Sequence, residues 1–197
     1  MFTGIIRHFG TIHAIKQAGD SMRLTVTAPN LFAASKAGDS IAINGVCLTV
    51  IANDANAVSF ELGAETLRKT TFSQQKTGAA CNVEFPMRIG DTFDGHFVQG
   101  HVDGTAVITD MHADGETTWL SLSLPPELAR LTVHKGSITV DGVSLTVAEK
   151  SGNTISIMLL PYTVEHTNFK NNRVGDPVNI ETDMLARHVA ELMKNLA

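Results

Sequence analysis

The sequence predicts an all-β chain of two tandem, duplicated six-stranded barrels followed by one C-terminal helix. Three observations carry that expectation. A segment of eleven residues recurs at a spacing of 97, short alternating apolar runs are broken by turn residues, and only the last stretch has helical periodicity. The length of 197 residues suits one large or two small domains, and a hydrophobic content of 43% against 18% charged provides enough apolar surface for a core and excludes disorder as the dominant state.

The repeat fixes the organisation. Residues 40–50 (SIAINGVCLTV) lie over residues 137–147 (SITVDGVSLTV) with seven of eleven positions identical. The same spacing carries Leu62, Thr66, Thr70 and Phe72 onto Leu159, Thr163, Thr167 and Phe169, and Gly78, Asn82 and Glu84 onto Gly175, Asn179 and Glu181. At a spacing of 96, Gly4 falls on Gly100, so FTGI at the start and VQGH at 98–101 read as the corresponding first strands of the two halves. This gives a barrel over 1–86, a connection over 87–96, a second barrel over 97–183 and a terminal helix over 184–197.

Within each half, alternation over 40–50 and 57–62 around the turn residues 53–56 predicts a hairpin with one buried face, repeated around Ser151-Gly152-Asn153. Asn44-Gly45 and Asp141-Gly142 each mark a tight turn. Two short helices per half are expected, at 31–35 with a copy at 127–131 and at 65–71 with a copy at 162–168. In the tail, Met184, Leu185, Val189, Leu192, Met193 and Leu196 form a helical stripe with Asp183 or Thr182 available as cap. Packing on its own barrel and assembly between copies both fit that stripe.

Composition narrows the function. A formal charge of -5 argues against a surface for DNA or RNA. No apolar run reaches membrane-spanning length, and the opening MFTGIIRHFG lacks the pattern of a secretory leader, so a cytoplasmic location is expected. Cys47 and Cys81 read as thiols in a reducing compartment. There is no Walker loop, GxGxxG, CxxC, HExxH or GxSxG motif. His96 and His101 are five positions apart, which places them on opposite faces of a strand, so no metal is indicated.

What remains is polar groups set into apolar strands at equivalent places. Cys47 and Ser144 correspond, each followed by Leu-Thr-Val, so Thr49 and Thr146 share their respective faces. Taken alone, both fit buried small residues. His101 lies between glycines in GHVDG and can exchange protons near neutral pH, while its counterpart in the first half is Ile5. Lys135 stands where the first half has Gly38.

The N-terminal MFTGI, the repeated NGVCLTV and DGVSLTV, GHFVQGHVDG, KGSITVDG and LPYTVEHTNF together resemble the alpha-chain riboflavin synthase family over the full chain. The resemblance implies Greek-key barrels, a homotrimer assembled by the C-terminal helix, and dismutation of two 6,7-dimethyl-8-ribityllumazine molecules to riboflavin and 5-amino-6-ribitylaminouracil, with no cofactor. It implies an association with lumazine synthase as well. Its site would lie where the N-terminal barrel of one subunit meets the C-terminal barrel of its neighbour. Carried over residue by residue, the first pocket takes Gly4, Ile5, Ile6, Cys47, Leu48, Thr49, Glu61, Leu62, Gly63, Ala64, Glu65 and Thr66. The second takes Gly100, His101, Val102, Lys135, Ser144, Leu145, Thr146, Met158, Leu159, Leu160, Pro161, Tyr162 and Thr163. His101 is the implied group for proton transfer, Cys47 and Ser144 are those for nucleophilic or acid–base assistance, and Phe2 and Asp183 are supports. A single Cys47, Glu61 for the commoner Asp, Tyr162, and Asp94 before Gly95-His96 depart from the usual pattern. Two rivals share the barrel: an antenna protein that holds a lumazine or flavin without turnover, and a flavin-carrying reductase barrel. The second needs a nicotinamide-binding domain for which the chain has no pattern.

Overall fold

The computed structural model describes residues 1–194 and contains one closed barrel, one curled sheet on the same plan and a terminal helix. The first barrel is built from β1 (His8–Ala18), β2 (Ser21–Thr27), β3 (Ser40–Ile43), β4 (Val46–Asn53), β5 (Ala57–Leu62) and β6 (Ala80–Glu84). It closes in the order β1-β2-β5-β4-β3-β6, because β1 pairs with β2 along one edge and β6 along the other. A bulge between Ile12 and Ala14 adds the local bend this closure needs. Alternate side chains, among them Leu24, Phe60 and Leu62, fill the interior, with Phe72 sealing it.

The second half repeats the plan with β7 (Gly104–Asp114), β8 (Thr117–Ser123), β9 (Ser137–Val140), β10 (Val143–Thr146), β11 (Glu149–Ser151), β12 (Thr154–Leu159) and β13 (Pro177–Thr182). The counterpart of β4 is interrupted at 147–148 and counts as two strands, giving a curled sheet of seven strands. The bulge recurs in β7 between Ile108 and Asp110.

Three of the four short helices expected within the halves form: α1 (Ala64–Lys69), α2 (Pro126–Leu131) and α3 (Pro161–Glu165). The fourth does not, since residues 31–34 make only turns. The repeat spacing changes from 96 to 97 between β2 and β3, so the second half has one more residue there, and Pro126 starts α2 with its ring already set for a first helical turn. The tail forms α4 (Met184–Lys194), capped by the Asp183 carboxylate, which accepts the Leu185 N–H at 2.9 Å. Leu185, Val189, Leu192 and Met193 stay exposed on it. Leu196 lies outside the described residues.

One expectation fails in an informative way. The segments 2–6 and 98–102 are not the first strands of their own barrels. They meet each other in an antiparallel bridge, where Phe2 and Val98 exchange main-chain hydrogen bonds of 2.8 and 3.3 Å, and then each crosses to the opposite barrel. Ile6 is buried in the second core, and Val102 packs on the first.

A polar seam joins the barrels about a local two-fold. Asn82 Nδ2 donates to the Asp141 carbonyl at 2.8 Å, and Asn179 Nδ2 donates to the Asn44 carbonyl at 2.9 Å. The turns at Gly45 and Gly142 pack so closely that a Cβ on either would come within 2.5–2.7 Å of the other's amide nitrogen.

Candidate functional site

The crossing arms build the site. Gly100 lies against Cys47, whose N–H donates to the Gly100 carbonyl at 2.9 Å, and Gly4 lies against Ser144, whose N–H donates to the Gly4 carbonyl at 2.8 Å. Both glycines have φ of 77°, and a Cβ on either would fall 2.6 Å from the Cβ of its partner, so no larger residue fits either place. Each arm is held by a buried glutamate. Glu84 accepts from the N–H groups of Thr3 (2.7 Å) and Gly4 (3.1 Å), and Glu181 from those of Gln99 and Gly100 (both 2.8 Å). Burial raises both carboxyls, and these hydrogen bonds pull them back down.

This exchange corrects the way the carried-over residues were divided between two pockets. Gly4 and Ile6 belong with Ser144, while Gly100, His101 and Val102 belong with Cys47. A cleft of about 310 Å³ is lined by Cys47, Glu65, Thr66, Gly100, His101 and Val102, together with Lys69, Thr70 and Asp103, which sequence reasoning did not single out. His101 is exposed at its rim and Cys47 half-buried.

Ser144 has a histidine of its own. His96 Nδ1 lies 2.7 Å from Ser144 Oγ, and His96 Nε2 lies 3.2 Å from Thr139 Oγ1. Burial lowers the His96 imidazole below its ordinary value, while the charge of Asp183 works in the opposite sense. The neutral ring therefore bridges two hydroxyls. Gly95 makes this possible, since a Cβ there would lie 2.0 Å from the Thr3 carbonyl oxygen. Alternation does not govern His96 and His101, because both lie outside any strand; what separates them is the Phe2–Val98 bridge that falls between them.

The other predicted residues divide by burial. Leu48 and Leu62 point into the first core and Leu159 into the second, so their side chains are closed to a ligand. Glu61, Gly63, Ala64, Thr49, Thr146, Met158, Leu160, Pro161, Tyr162 and Lys135 are exposed, and Ile5, Leu145 and Thr163 are half-buried. Tyr162 stacks on His166 with ring centroids 4.0 Å apart, and Glu61 accepts from Ser21 Oγ at 3.5 Å. Phe2 is fully buried at the arm crossing. Cys81 is sealed in the first core, where burial pushes its thiol up to about 12, leaving it inert at neutral pH.

The lumazine binding domain family model matches twice, over residues 3–86 and 99–183. Riboflavin synthase of Bacillus amyloliquefaciens is 42% identical over 96% of this chain and 88% of its own. That of Photobacterium phosphoreum is 41% identical over 98% of this chain and 89% of its own. Among solved structures, LumP complexed with riboflavin superposes with a TM-score of 0.86 at 25% identity, covering 92% of this chain and 99% of that one.

Proposed function

The chain belongs to the riboflavin synthase family, and on that premise we propose that each barrel takes one 6,7-dimethyl-8-ribityllumazine, with Cys47 and His101 serving one and Ser144 and His96 the other. The observation that supports this reading is the arm exchange, which sets a small nucleophilic side chain, an imidazole and a closely approaching glycine together twice: around Cys47, where they line a cleft, and around Ser144, where the imidazole is hydrogen-bonded to the hydroxyl. The residues carried over from the family stay assigned to ligand binding, regrouped as the arms require. The division into units at 1–86 and 97–183, joined by 87–96, is kept as part of this proposal for the two sequence repeats, with the arms at 2–6 and 98–102 exchanged between them.

The reaction is a dismutation: one lumazine gives four carbons to the other, so the atoms and electrons of the pair balance without a redox carrier. It needs a proton removed from the 7-methyl group of one lumazine and a nucleophile added at C7 of its partner. His101, exposed at the cleft rim, is the group for the proton. Around Ser144, a His96 tautomer protonated on Nε2 donates to Thr139 and leaves Nδ1 to accept the Ser144 hydroxyl proton, which raises the nucleophilicity of Oγ. Holding two flat reactants face to face supplies much of the remaining rate.

In this proposal, as the family resemblance implies, that juxtaposition is made between the Cys47 site of one copy and the Ser144 site of a neighbouring copy. The exposed stripe of Leu185, Val189, Leu192 and Met193 supports assembly into a homotrimer through α4. Association with lumazine synthase is a separate expectation of the family resemblance, checked by co-sedimentation. Among the described residues no helix is long and apolar enough to cross a membrane, which is compatible with a cytoplasmic place of work.

The test is to incubate the protein with the lumazine and follow riboflavin by fluorescence. Turnover is the expected result, and a tightly held fluorescent ligand with no product would move the chain to the antenna class. Cys47→Ser and His101→Ala should each lower kcat about 100-fold, the lower end for acid–base and nucleophilic groups, with ligand affinity far less affected. Near wild-type turnover in both would overturn the assignments.

A further inference from the structure

The arm that carries His101 is held by one more group than the arm that carries Ile5. Arg187, on the first turns of α4, reaches back to that arm: its Nη2 donates to Gln99 Oε1 at 2.7 Å and its Nη1 to Asp103 Oδ1 at 3.1 Å. The same Nη2 lies 3.5 Å from Glu181 Oε1. Glu181, only 2% exposed, is the acceptor for the Gln99 and Gly100 N–H groups. The other oxygen of Asp103 ties the end of the arm to β13, accepting from the Thr182 N–H at 2.8 Å and hydroxyl at 2.7 Å. One guanidinium thus bridges both ends of a five-residue arm with His101 at its centre.

The first half has no equivalent. Glu84 holds its arm through Thr3 and Gly4, and the position corresponding to Asp103 is Arg7, which turns away to pair with Asp94 at 3.0 Å. The clamp is therefore specific to the arm that presents the imidazole, and it is supplied by the element that has no copy in the repeat. Its electrostatics point the same way. Glu181 is buried and faces the negative charge of Asp103, and the guanidinium between them offsets a repulsion that would otherwise push Glu181 away from the Gln99 and Gly100 N–H groups.

We infer that Arg187 is a positioning residue for turnover, fixing the 99–103 arm so that His101 is set over the Cys47 cleft. The C-terminal helix then acts on the chemistry within its own chain, in addition to any role in assembly. This inference rests on the proposed role of His101.

The experiment compares Arg187→Ala, Arg187→Lys and Gln99→Leu with the full-length protein. Arg187→Ala should lower kcat at least tenfold with KM changed less than threefold and with an unchanged sedimentation coefficient. Lysine, which keeps the charge but not the fork, should recover part of the loss, and so should millimolar guanidinium added to the alanine variant. Gln99→Leu removes a single bond of the clamp, leaves both ion pairs, and should show a smaller loss of the same kind. Independently of turnover, the His101 ring resonances in a 1H–13C spectrum should shift in Arg187→Ala while those of His13, on β1, stay in place. Unchanged kcat in Arg187→Ala beside an inactive His101→Ala would overturn the inference, as would a loss that merely tracks subunit dissociation. If His101→Ala itself turned over normally, the proposed function would fall, while the His101 resonances would still decide whether Arg187 sets the arm.

Discussion

Lys135 occupies the left-handed region with φ of 62°, where the first half places Gly38 at φ of 94°. A side chain there costs roughly 1 kcal/mol or more, and the Lys135 N–H bond to the Val147 carbonyl at 2.9 Å, matched by the Gly38 N–H bond to Val50, shows that the backbone is the same in both copies. Strain retained in only one copy points to a use for the ammonium. Lys135→Gly should therefore stabilise the fold by about 0.5 kcal/mol, net of the added chain entropy, while lowering turnover or lumazine affinity. Urea unfolding and a binding titration check both arms, and a glycine variant that is less stable would remove the strain argument. The other single positions divide by what spacing can encode. Cys47 and Ser144 were legible because the repeat set them in the same register. The partner of His101 was not, because equivalence by spacing says which residues correspond and is silent on which barrel an arm enters. His96 was passed over for a related reason: it has no counterpart in the first half, so the repeat could not single it out.

At the scale of elements, the hairpins over 40–62 and 137–159 followed directly from alternation and from the Asn-Gly and Asp-Gly turns, and the structure bears them out. The arms differ from the strands expected there because a short apolar segment beside glycine looks the same whether it pairs at home or next door; the Phe2–Val98 bridge and the burial of Ile6 and the packing of Val102 in the opposite cores distinguish the two. The helix at 31–35 failed where the second half has an additional residue and a proline start. The terminal helix was legible from its stripe and its cap. Removing residues 184–197 should give a monomer that still binds lumazine but turns over slowly, read by sedimentation and by riboflavin formation. A truncated chain that remains trimeric would reject α4 as the assembly element. The loss of turnover should also exceed that of a variant dissociated by charge on the exposed stripe, because truncation removes Arg187 as well.

For the molecule as a whole, the seam between barrels departs from symmetry at a pair of contacting positions. Asp141 stands where the first half has Asn44, and Asn168 where it has Thr71. Asp141 is fully buried, and burial raises its carboxyl to about 6, against the pull of hydrogen bonds from Asn179 and Asn168. Since the ordinary value of 3.8 applies in the unfolded chain, the folded state holds the proton more tightly, and stability should fall as pH rises from about 4 through 6. The drop is on the order of 2–3 kcal/mol. Asn168 Nδ2 donates to Asp141 Oδ2 at 2.7 Å, so Asp141→Asn alone sets one amide donor against another and should cost about 1–2 kcal/mol. The double variant Asp141→Asn with Asn168→Thr copies the first half and should recover most of that cost. It should also flatten the profile between pH 4 and 6, measured as unfolding midpoints across pH; a slope that survives in the double variant would place the titrating group elsewhere.

The crossed arms make each repeat part of its twin's interior. A substitution at position 5 or 6 is felt by the compartment of the later half, and one at 101 or 102 by that of the earlier half. The two copies, though joined by a single connection, are thus not free to drift apart as separate modules. Any specialisation of one compartment is written partly in the sequence of the other, and a chimera that grafts one repeat from a relative would import the wrong lining for both.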